Sequence, residues 1–156
     1  MKPSVGWALV GMQFGALTAL VVFPAGDLWS RNWLVGAGAA VLVTAGVFIA
    51  VVAGSRLGTS LTPLPIPKDK GSLARDGIYR FVRHPIYTGV LVAAAGMVLW
   101  GGSLAHGVAW LALWGVLGAK VHFEEAMLRE KYVDYHDYQE KSGRFIPRWS
   151  NIFPPR

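Results

Sequence analysis

Five consecutive residues in the middle of the chain combine a cation, an imidazole and a phenol. They are Arg83, His84, Pro85, Ile86 and Tyr87. Because proline suits the first turn of a helix, we expect a helix to begin here with His84 near its N-cap. The free backbone N–H groups and the positive dipole end of such a helix attract carboxylates, including the carboxylate of an amino-acid cofactor. The alternative is that Arg83, His84 and Tyr87 only anchor the helix at a membrane interface.

A second polar group, Lys120, Glu124 and Glu125, follows an apolar stretch. Lys120 and Glu124 are four residues apart and can face each other on a helix. The carboxylates could bind the ammonium group or the ribose hydroxyls of a cofactor by charge-assisted hydrogen bonds. Glu125 could accept a proton from an amine only if its pKa were raised. The alternative is an ordinary helix end that enters water, with Lys120 reaching the interface.

Three regularly spaced tyrosines follow on a polar tail, at Tyr132, Tyr135 and Tyr138. Such a pattern is typical of an amphipathic helix that packs on the membrane face. Arg144 comes next and could bind an anionic substrate or a lipid phosphate. Pro147 ends the helical pattern.

Four apolar segments must position these groups. They run over Val5 to Phe23, Trp33 to Ala53, Ile86 to Trp100 and Leu104 to Val121. The first two are free of ionisable residues and long enough to cross a bilayer core. The first is longer than the apolar region of a usual signal peptide, so we interpret it as a retained helix. The third is short, and the glycine pair after it permits a tight turn, so the last two segments are predicted to form a helical hairpin.

The predicted fold is an all-α integral membrane protein with about four transmembrane helices. We divide its single domain into two N-terminal spans (1–53), a cytoplasmic loop (54–85), a helical hairpin (86–121) and a cytoplasmic helical tail (122–156). The loop carries six basic and two acidic side chains, so the positive-inside rule predicts that it lies in the cytoplasm as part of a cofactor-binding rim. An even number of crossings then places both termini on the cytoplasmic side of the cell membrane.

The composition excludes several classes of protein. Hydrophobic residues make up 53% of the 156 residues and charged residues only 15%, against about 25% in soluble domains. The absence of cysteine excludes a disulfide framework, a thiolate nucleophile and a cysteine-ligated metal, and no metal site is predicted. The net charge of +6 is concentrated in the loop and the tail, which indicates topology and not nucleic-acid binding.

The order of the motifs resembles the isoprenylcysteine carboxyl methyltransferase family, whose wider group includes membrane phospholipid N-methyltransferases. The resemblance runs from about Gly77 to Pro147. It comprises Arg-His-Pro-x-Tyr-x-Gly at 83–89, an apolar hairpin, Glu-Glu-x-x-Leu at 124–128 and Gly-Arg-Phe-Ile-Pro at 143–147. The combination is specific, although each motif alone is weak.

The resemblance implies S-adenosylmethionine as cofactor and S-adenosylhomocysteine as product. In this family the residues that correspond to His84, Pro85, Ile86, Tyr87 and Glu124 contact the cofactor. The residues assigned to the acceptor and the reaction are Lys120, Glu125 and Arg144. Lys120 stands where the family tends to place an arginine near the substrate carboxylate, and Arg144 could supply the guanidinium group that is missing there.

We therefore expect methyl transfer to a lipophilic or prenylated acceptor that enters from the bilayer, among membrane lipids. The expected acceptor group is the carboxylate of an isoprenylcysteine-like molecule, which is already ionised and needs only to be held in line with the methyl carbon. Such positioning can supply about 7–11 kcal/mol.

Four alternatives stay open. Phospholipid or other lipid N-methylation uses the same cofactor. A small four-helix transporter would need an ionisable residue within a span, and the first three spans have none. A non-catalytic membrane protein leaves the clustered polar residues without a role. A sterol-reductase-like protein would bind a nicotinamide cofactor, but the chain has no glycine-rich dinucleotide fingerprint.

Overall fold

The computed structural model describes residues 2–66 and 73–148. Part of the predicted basic loop, including Pro67, Lys68, Asp69 and Lys70, lies outside the described residues, as does the end of the tail from residue 149. Within the described ranges the chain forms five α-helices and two short 3-10 helices. The α-helices are α1 Pro3–Val22, α2 Trp33–Leu57, α3 Pro85–Gly101, α4 Leu104–Lys131 and α5 Tyr135–Lys141, and the 3-10 helices are Gly58–Ser60 and Gly77–Arg80.

The predicted all-α membrane fold is confirmed. By length and composition α1, α2 and α4 could each cross a membrane. α3 has 17 residues, which corresponds to about 25 Å, and is shorter than a bilayer core of about 30 Å. Only Gly102 and Ser103 separate α3 from α4, and Gly102 has a φ of 56°, a left-handed conformation that glycine adopts without strain. The last two helices therefore form the expected hairpin.

The connection between α1 and α2 is fastened to the turn of this hairpin. The backbone N–H groups of Gly26 and Leu28 donate to the carbonyls of Gly101 and Gly102, at 2.8 and 3.0 Å. The indole of Trp29 donates to the Leu99 carbonyl at 2.8 Å. We call this end of the bundle the hairpin end. The opposite end, where residues 58–66 and 73–84 and the tail lie, is called the rim end.

α2 and α3 approach each other closely through small residues. A methyl group at Gly46 would overlap the backbone of Gly89 and Ala93, and one at Gly96 would overlap the backbone of Ala39. Small residues such as Gly46 and Ala39 therefore let the two helices pack with their backbones in close contact.

Larger apolar side chains pack at the centre of the bundle, where α3 and α4 meet α1; the buried members are Leu20, Leu91, Ala94, Ala109, Leu113 and Leu117. Both long helices extend beyond the predicted spans. α2 continues past Ala53 to Leu57, and α4 continues past Val121 to Lys131. Because α4 extends in this way, Glu124 and Glu125 lie on the same rigid helix as Lys120. The relative positions of the three groups are therefore fixed by helix geometry.

Candidate active site

A cavity of about 370 Å³ lies at the rim end, a volume in the range of about 300–1,000 Å³ that is usual for ligand sites. One part of its wall is apolar and comes from α1, at Val10 and Phe14, and from Val90 of α3. The other part is polar and aromatic. Its members are Tyr79, Arg83, His84, Tyr87, Lys120, Glu124, Tyr132, Tyr135 and Tyr138.

His84, Tyr87 and Glu124 form one contiguous group in the polar wall. Pro85 is the first residue of α3, and His84 occupies the N-cap as predicted. The rings of His84 and Tyr87 are stacked, with centroids 5.7 Å apart and planes 6° apart. The Tyr87 hydroxyl donates to Oε2 of Glu124 at 3.2 Å, and Nδ1 of His84 lies 3.8 Å from the same oxygen. The first turn of α3 and the end of α4 are therefore joined across the cavity wall.

Glu125 is fully buried behind this wall and does not line the cavity. Its Oε1 accepts from Nε of Arg83 at 2.9 Å and lies 3.3 Å from Nε2 of His84. Its Oε2 accepts from Nη2 of Arg144 at 2.7 Å and from the Gln139 amide at 3.2 Å. Both oxygens are thus occupied, and the carboxylate holds residues from α4, the 83–84 segment and the tail together.

The tail segment after α5 pairs with the residues that precede α3. The N–H of Arg83 donates to the Gly143 carbonyl at 2.8 Å, and the N–H of Gly143 donates to the Phe81 carbonyl at 2.9 Å. Gly143 is required here, since any side chain would overlap the Ile146 carbonyl. The ring of Phe145 then packs against His84, at 6.4 Å between centroids. The Gly-Arg-Phe motif therefore packs against His84 through Phe145, which does not itself line the cavity.

Lys120 lies at the boundary between the polar and apolar walls. Its buried ammonium donates to Oε1 of Gln13 at 2.7 Å and to the Pro63 carbonyl at 3.0 Å. The same nitrogen lies 5.3 Å from the centroid of the Tyr87 ring, within cation–π range. Because Lys120 contacts residues of α1, the 58–66 segment and α3, it holds three elements around the cavity.

The tyrosines of the tail turn inward to the cavity instead of lying on the membrane face. Tyr135 and Tyr138 are buried, and the Tyr138 hydroxyl donates to the Tyr79 carbonyl at 2.6 Å. Burial raises the pKa of Tyr138 to about 12, and it also raises the pKa values of Tyr79 and Tyr135. These phenols are therefore neutral at physiological pH, and those of Tyr79 and Tyr138 donate hydrogen bonds to backbone carbonyls.

Of the eight predicted site residues, six line the cavity: His84, Pro85, Ile86, Tyr87, Lys120 and Glu124. Glu125 and Arg144 do not, and they pair with each other behind it. Sequence reasoning assigned no site role to Arg83 or Gln13. Arg83 was visible as the neighbour of His84, and Gln13 as the only amide side chain within α1, where a polar group is costly unless it has a partner.

Comparison with known proteins agrees with this architecture. A model of the family described as phospholipid methyltransferase matches residues 34–135. A protein of Oryza sativa subsp. indica, named probable protein-S-isoprenylcysteine O-methyltransferase, is 31% identical over 136 residues, which cover 84% of this chain and 69% of the relative. Protein-S-isoprenylcysteine O-methyltransferase A of Arabidopsis thaliana is 26% identical over 136 residues, covering 84% of this chain and 67% of that protein.

A solved structure shares the fold. It is that of a eukaryotic intramembrane Ras methyltransferase, isoprenylcysteine carboxyl methyltransferase, with a TM-score of 0.68 and 24% identity. The match covers 94% of this chain and 53% of the other, so the chain spans about half the length of the solved relative.

The fold is that of a multi-pass membrane protein with its candidate site at one end of the helical bundle. The family match and the curated relatives define the methyltransferase class. Within that class the chain belongs to the isoprenylcysteine carboxyl methyltransferase family.

Proposed function

We propose that this protein transfers a methyl group from S-adenosylmethionine to the carboxylate of a lipophilic, isoprenylcysteine-like acceptor. The observation that carries the proposal is the convergence of His84, Tyr87, Glu124 and Lys120 on one cavity that is polar on one side and apolar on the other. These residues come from motifs that are distant in the sequence. The membership of the family and the names of the curated relatives support the reaction class.

The polar wall fits the methyl donor. Oε2 of Glu124 is held by Tyr87, whereas Oε1 has no hydrogen bond within the described residues and is available to an ammonium group or a ribose hydroxyl. The first turn of α3 offers the backbone N–H groups of Ile86 and Tyr87 to a carboxylate, since Pro85 has no N–H and that of His84 donates to the Arg144 carbonyl. The neighbouring tyrosine rings, with Leu128, offer surfaces for a purine base. When bound, S-adenosylmethionine supplies an electrophilic methyl group on a sulfonium centre.

The boundary of the apolar wall fits the acceptor. Val10 and Phe14 of α1 provide a surface for a hydrocarbon tail, and the Lys120 ammonium beside them attracts an anionic head group. An ionised carboxylate needs no general base, so the chain has only to orient it. Lys120 keeps the charge of the family's arginine, and its contacts with Gln13 and Pro63 fix its position.

Glu125 and Arg144 serve this reaction by positioning other groups. The two oxygens of Glu125 are filled by donors that include Arg83 and Arg144, which opposes a role as proton acceptor. Methylation of an amine requires loss of a proton, whereas methylation of a carboxylate does not. The arrangement therefore favours O-methylation over the phospholipid N-methylation that the wider group includes.

We place the rim end, and with it both termini, on the cytoplasmic side of the cell membrane, where S-adenosylmethionine is made. The basic residues of the loop and the tail support this orientation by the positive-inside rule. The acceptor would reach the cavity from the bilayer alongside α1.

The first test is calorimetric titration of the detergent-purified protein with S-adenosylmethionine and S-adenosylhomocysteine. We expect micromolar binding of both, and a loss of at least about tenfold in Glu124→Ala, because charge-assisted hydrogen bonds are worth about 1.5–3 kcal/mol. Glu130→Ala, an exposed carboxylate on the same helix, is the matched control. Binding of a nicotinamide dinucleotide instead of either sulfur compound would overturn the proposal.

The second test compares acceptors. N-acetylated farnesylcysteine should accept a methyl group as a base-labile ester, and its carboxamide should not. Lys120→Arg should retain the activity, and Lys120→Met should lose most of it through a raised KM for the acceptor. Methylation of phosphatidylethanolamine in place of the farnesylcysteine would contradict the assignment of a carboxylate acceptor.

A further inference from the structure

A second cavity, of about 640 Å³, lies at the hairpin end between α1 and α2 and over α3. Its lining is almost wholly apolar and is made from the last turn of α1, the first half of α2 and the last turns of α3. Several lining residues are exposed on the outer surface, among them Val21, Trp100 and Ala40. The cavity is therefore a crevice that opens towards the surrounding bilayer.

One polar side chain lines this crevice. His106, in the first turn of α4, is only 4% exposed. Its backbone N–H donates to Oγ of Ser103 at 3.4 Å, and Oγ lies 2.7 Å from Nδ1 of the same ring. Nδ1 is therefore engaged with the Ser103 hydroxyl, and Nε2 is the ring nitrogen left for another partner.

Nε2 of His106 has no hydrogen bond within the described residues. It lies against Gly101, where any larger residue would overlap the ring. Because His106 lines the crevice, Nε2 is available to a polar group of a molecule that occupies it.

A cation lies at the mouth of the same crevice. The guanidinium carbon of Arg31 lies 6.0 Å from the centroid of the Trp100 ring, and Trp100 lines the crevice. The indole of Trp29 is fixed nearby through Leu99. An arginine beside tryptophans at the end of a span is suited to contact a phosphate at the level of the lipid head groups.

The crevice is separate from the candidate active site. Its deepest lining residue on α3 is Gly96, whereas the rim cavity reaches Val90 on the same helix. The distance along the helix is about 9 Å. The central apolar cluster, with Leu91, Leu113 and Leu117, lies at the level between them.

We propose that this crevice is a binding site for one membrane phospholipid. One acyl chain lies along the small residues of α2 and α3, an ester or phosphate oxygen accepts from Nε2 of His106, and the phosphate pairs with Arg31. This site does not depend on the proposed reaction, and it holds the lipid on the side of the bilayer opposite the rim.

The test is native mass spectrometry of the full chain in detergent, titrated with phosphatidylglycerol and, separately, with a diacylglycerol of the same chains. We expect one tightly bound phospholipid per chain. Ala40→Phe fills the crevice and should lower its affinity by at least about tenfold. Ala37→Phe, an exposed alanine on the same helix that does not line the crevice, is the matched control and should have no effect.

The head-group contact is tested independently. The wild-type chain should prefer phosphatidylglycerol to the diacylglycerol by about tenfold or more, and Arg31→Gln should remove this preference. Lys2→Gln, which removes an equal charge at the rim end, should retain it. Equal lipid binding by Ala40→Phe and Ala37→Phe, or no preference for the phospholipid in the wild-type chain, would overturn the proposal.

Discussion

At the scale of the residue, two adjacent glutamates show that the direction in which a side chain points determines its role. Consecutive residues of a helix point about 100° apart. Glu124 therefore faces the cavity and meets Tyr87, whereas Glu125 faces the protein interior and meets three guanidinium groups. The carboxylate of Glu124 is therefore a candidate for ligand binding, whereas that of Glu125 is a structural centre that holds neighbouring segments together through ion pairs.

Glu125→Gln should destabilise the protein markedly. The amide keeps the shape of the side chain but leaves the Arg83 and Arg144 cations without a counter-charge. Removing one partner of a buried pair typically costs about 3–5 kcal/mol, and we expect about 2–4 kcal/mol because Arg144 is half-exposed. The measurement is thermal unfolding in detergent, where the midpoint should fall by several degrees.

Glu124→Gln provides the comparison for this variant. Its carboxylate is partly exposed and has one uncommitted oxygen, so its replacement should leave the unfolding midpoint within about 2 °C and act on ligand binding instead. A Glu125→Gln chain as stable as the Glu124→Gln chain would contradict the role of Glu125 as a structural centre.

At the scale of the element, the pairing of α2 with α3 is the closest contact between helices. Helices in lipid associate through close packing, because no hydrophobic gain separates lipid from protein surroundings. Gly46 of α2 and Gly89 of α3 face each other's backbones and leave no room for a methyl group. Since Gly89 belongs to the conspicuous 83–89 motif, this packing also fixes the helix that begins at His84.

Gly46→Ala should therefore cost about 1–3 kcal/mol through overpacking and lower the thermal midpoint. Gly11→Ala is the matched control, since Gly11 lies within α1 and a methyl group there would meet nothing within 4 Å. Thermal unfolding together with the monodisperse yield in detergent measures both variants. If both substitutions changed the thermal midpoint equally, the close contact between α2 and α3 would not be what stabilises the protein at Gly46.

The elements were predictable because their signals are local. Apolar runs predicted the four spans, the pair Gly101-Gly102 predicted the hairpin turn, and Pro85 predicted the start of α3. The contacts that complete the site are not local. Lys120 meets Gln13 at a separation of 107 residues, and Arg83 meets Glu125 at a separation of 42. Helical periodicity carries no information about such partners, so no role was predicted for Gln13 and Glu125 was placed among the reacting groups.

At the scale of the whole molecule, the four helices alternate in direction and bring distant parts of the chain to one end. Lys120 contacts Pro63, Tyr79 contacts Ala53, and Arg83 contacts Gly143 at the rim end. The loop near Gly26 is at the hairpin end with Gly101. The N-terminus and the end of the described tail should therefore lie on the same side of the membrane.

Single-cysteine variants can test this topology cleanly, because the chain contains no cysteine. Lys2→Cys and Lys141→Cys should react with a membrane-impermeant maleimide in inside-out vesicles but not in intact cells, and Asp27→Cys should react in intact cells. All three positions are exposed in the structure. The cysteine-free parent chain gives the background. Labelling of Lys2→Cys in intact cells would reverse the orientation proposed above.

The shortness of α3 has a consequence for how the protein is made. A helix of 17 residues with a two-residue turn after it is held poorly by a bilayer on its own, so α3 and α4 should leave the translocon together, as one inserted unit. The backbone contacts of Gly26 and Leu28 with the turn can form only after that unit has crossed. Biogenesis would then proceed in two stages, with α1 and α2 in place first and the α3–α4 unit docking onto them afterwards.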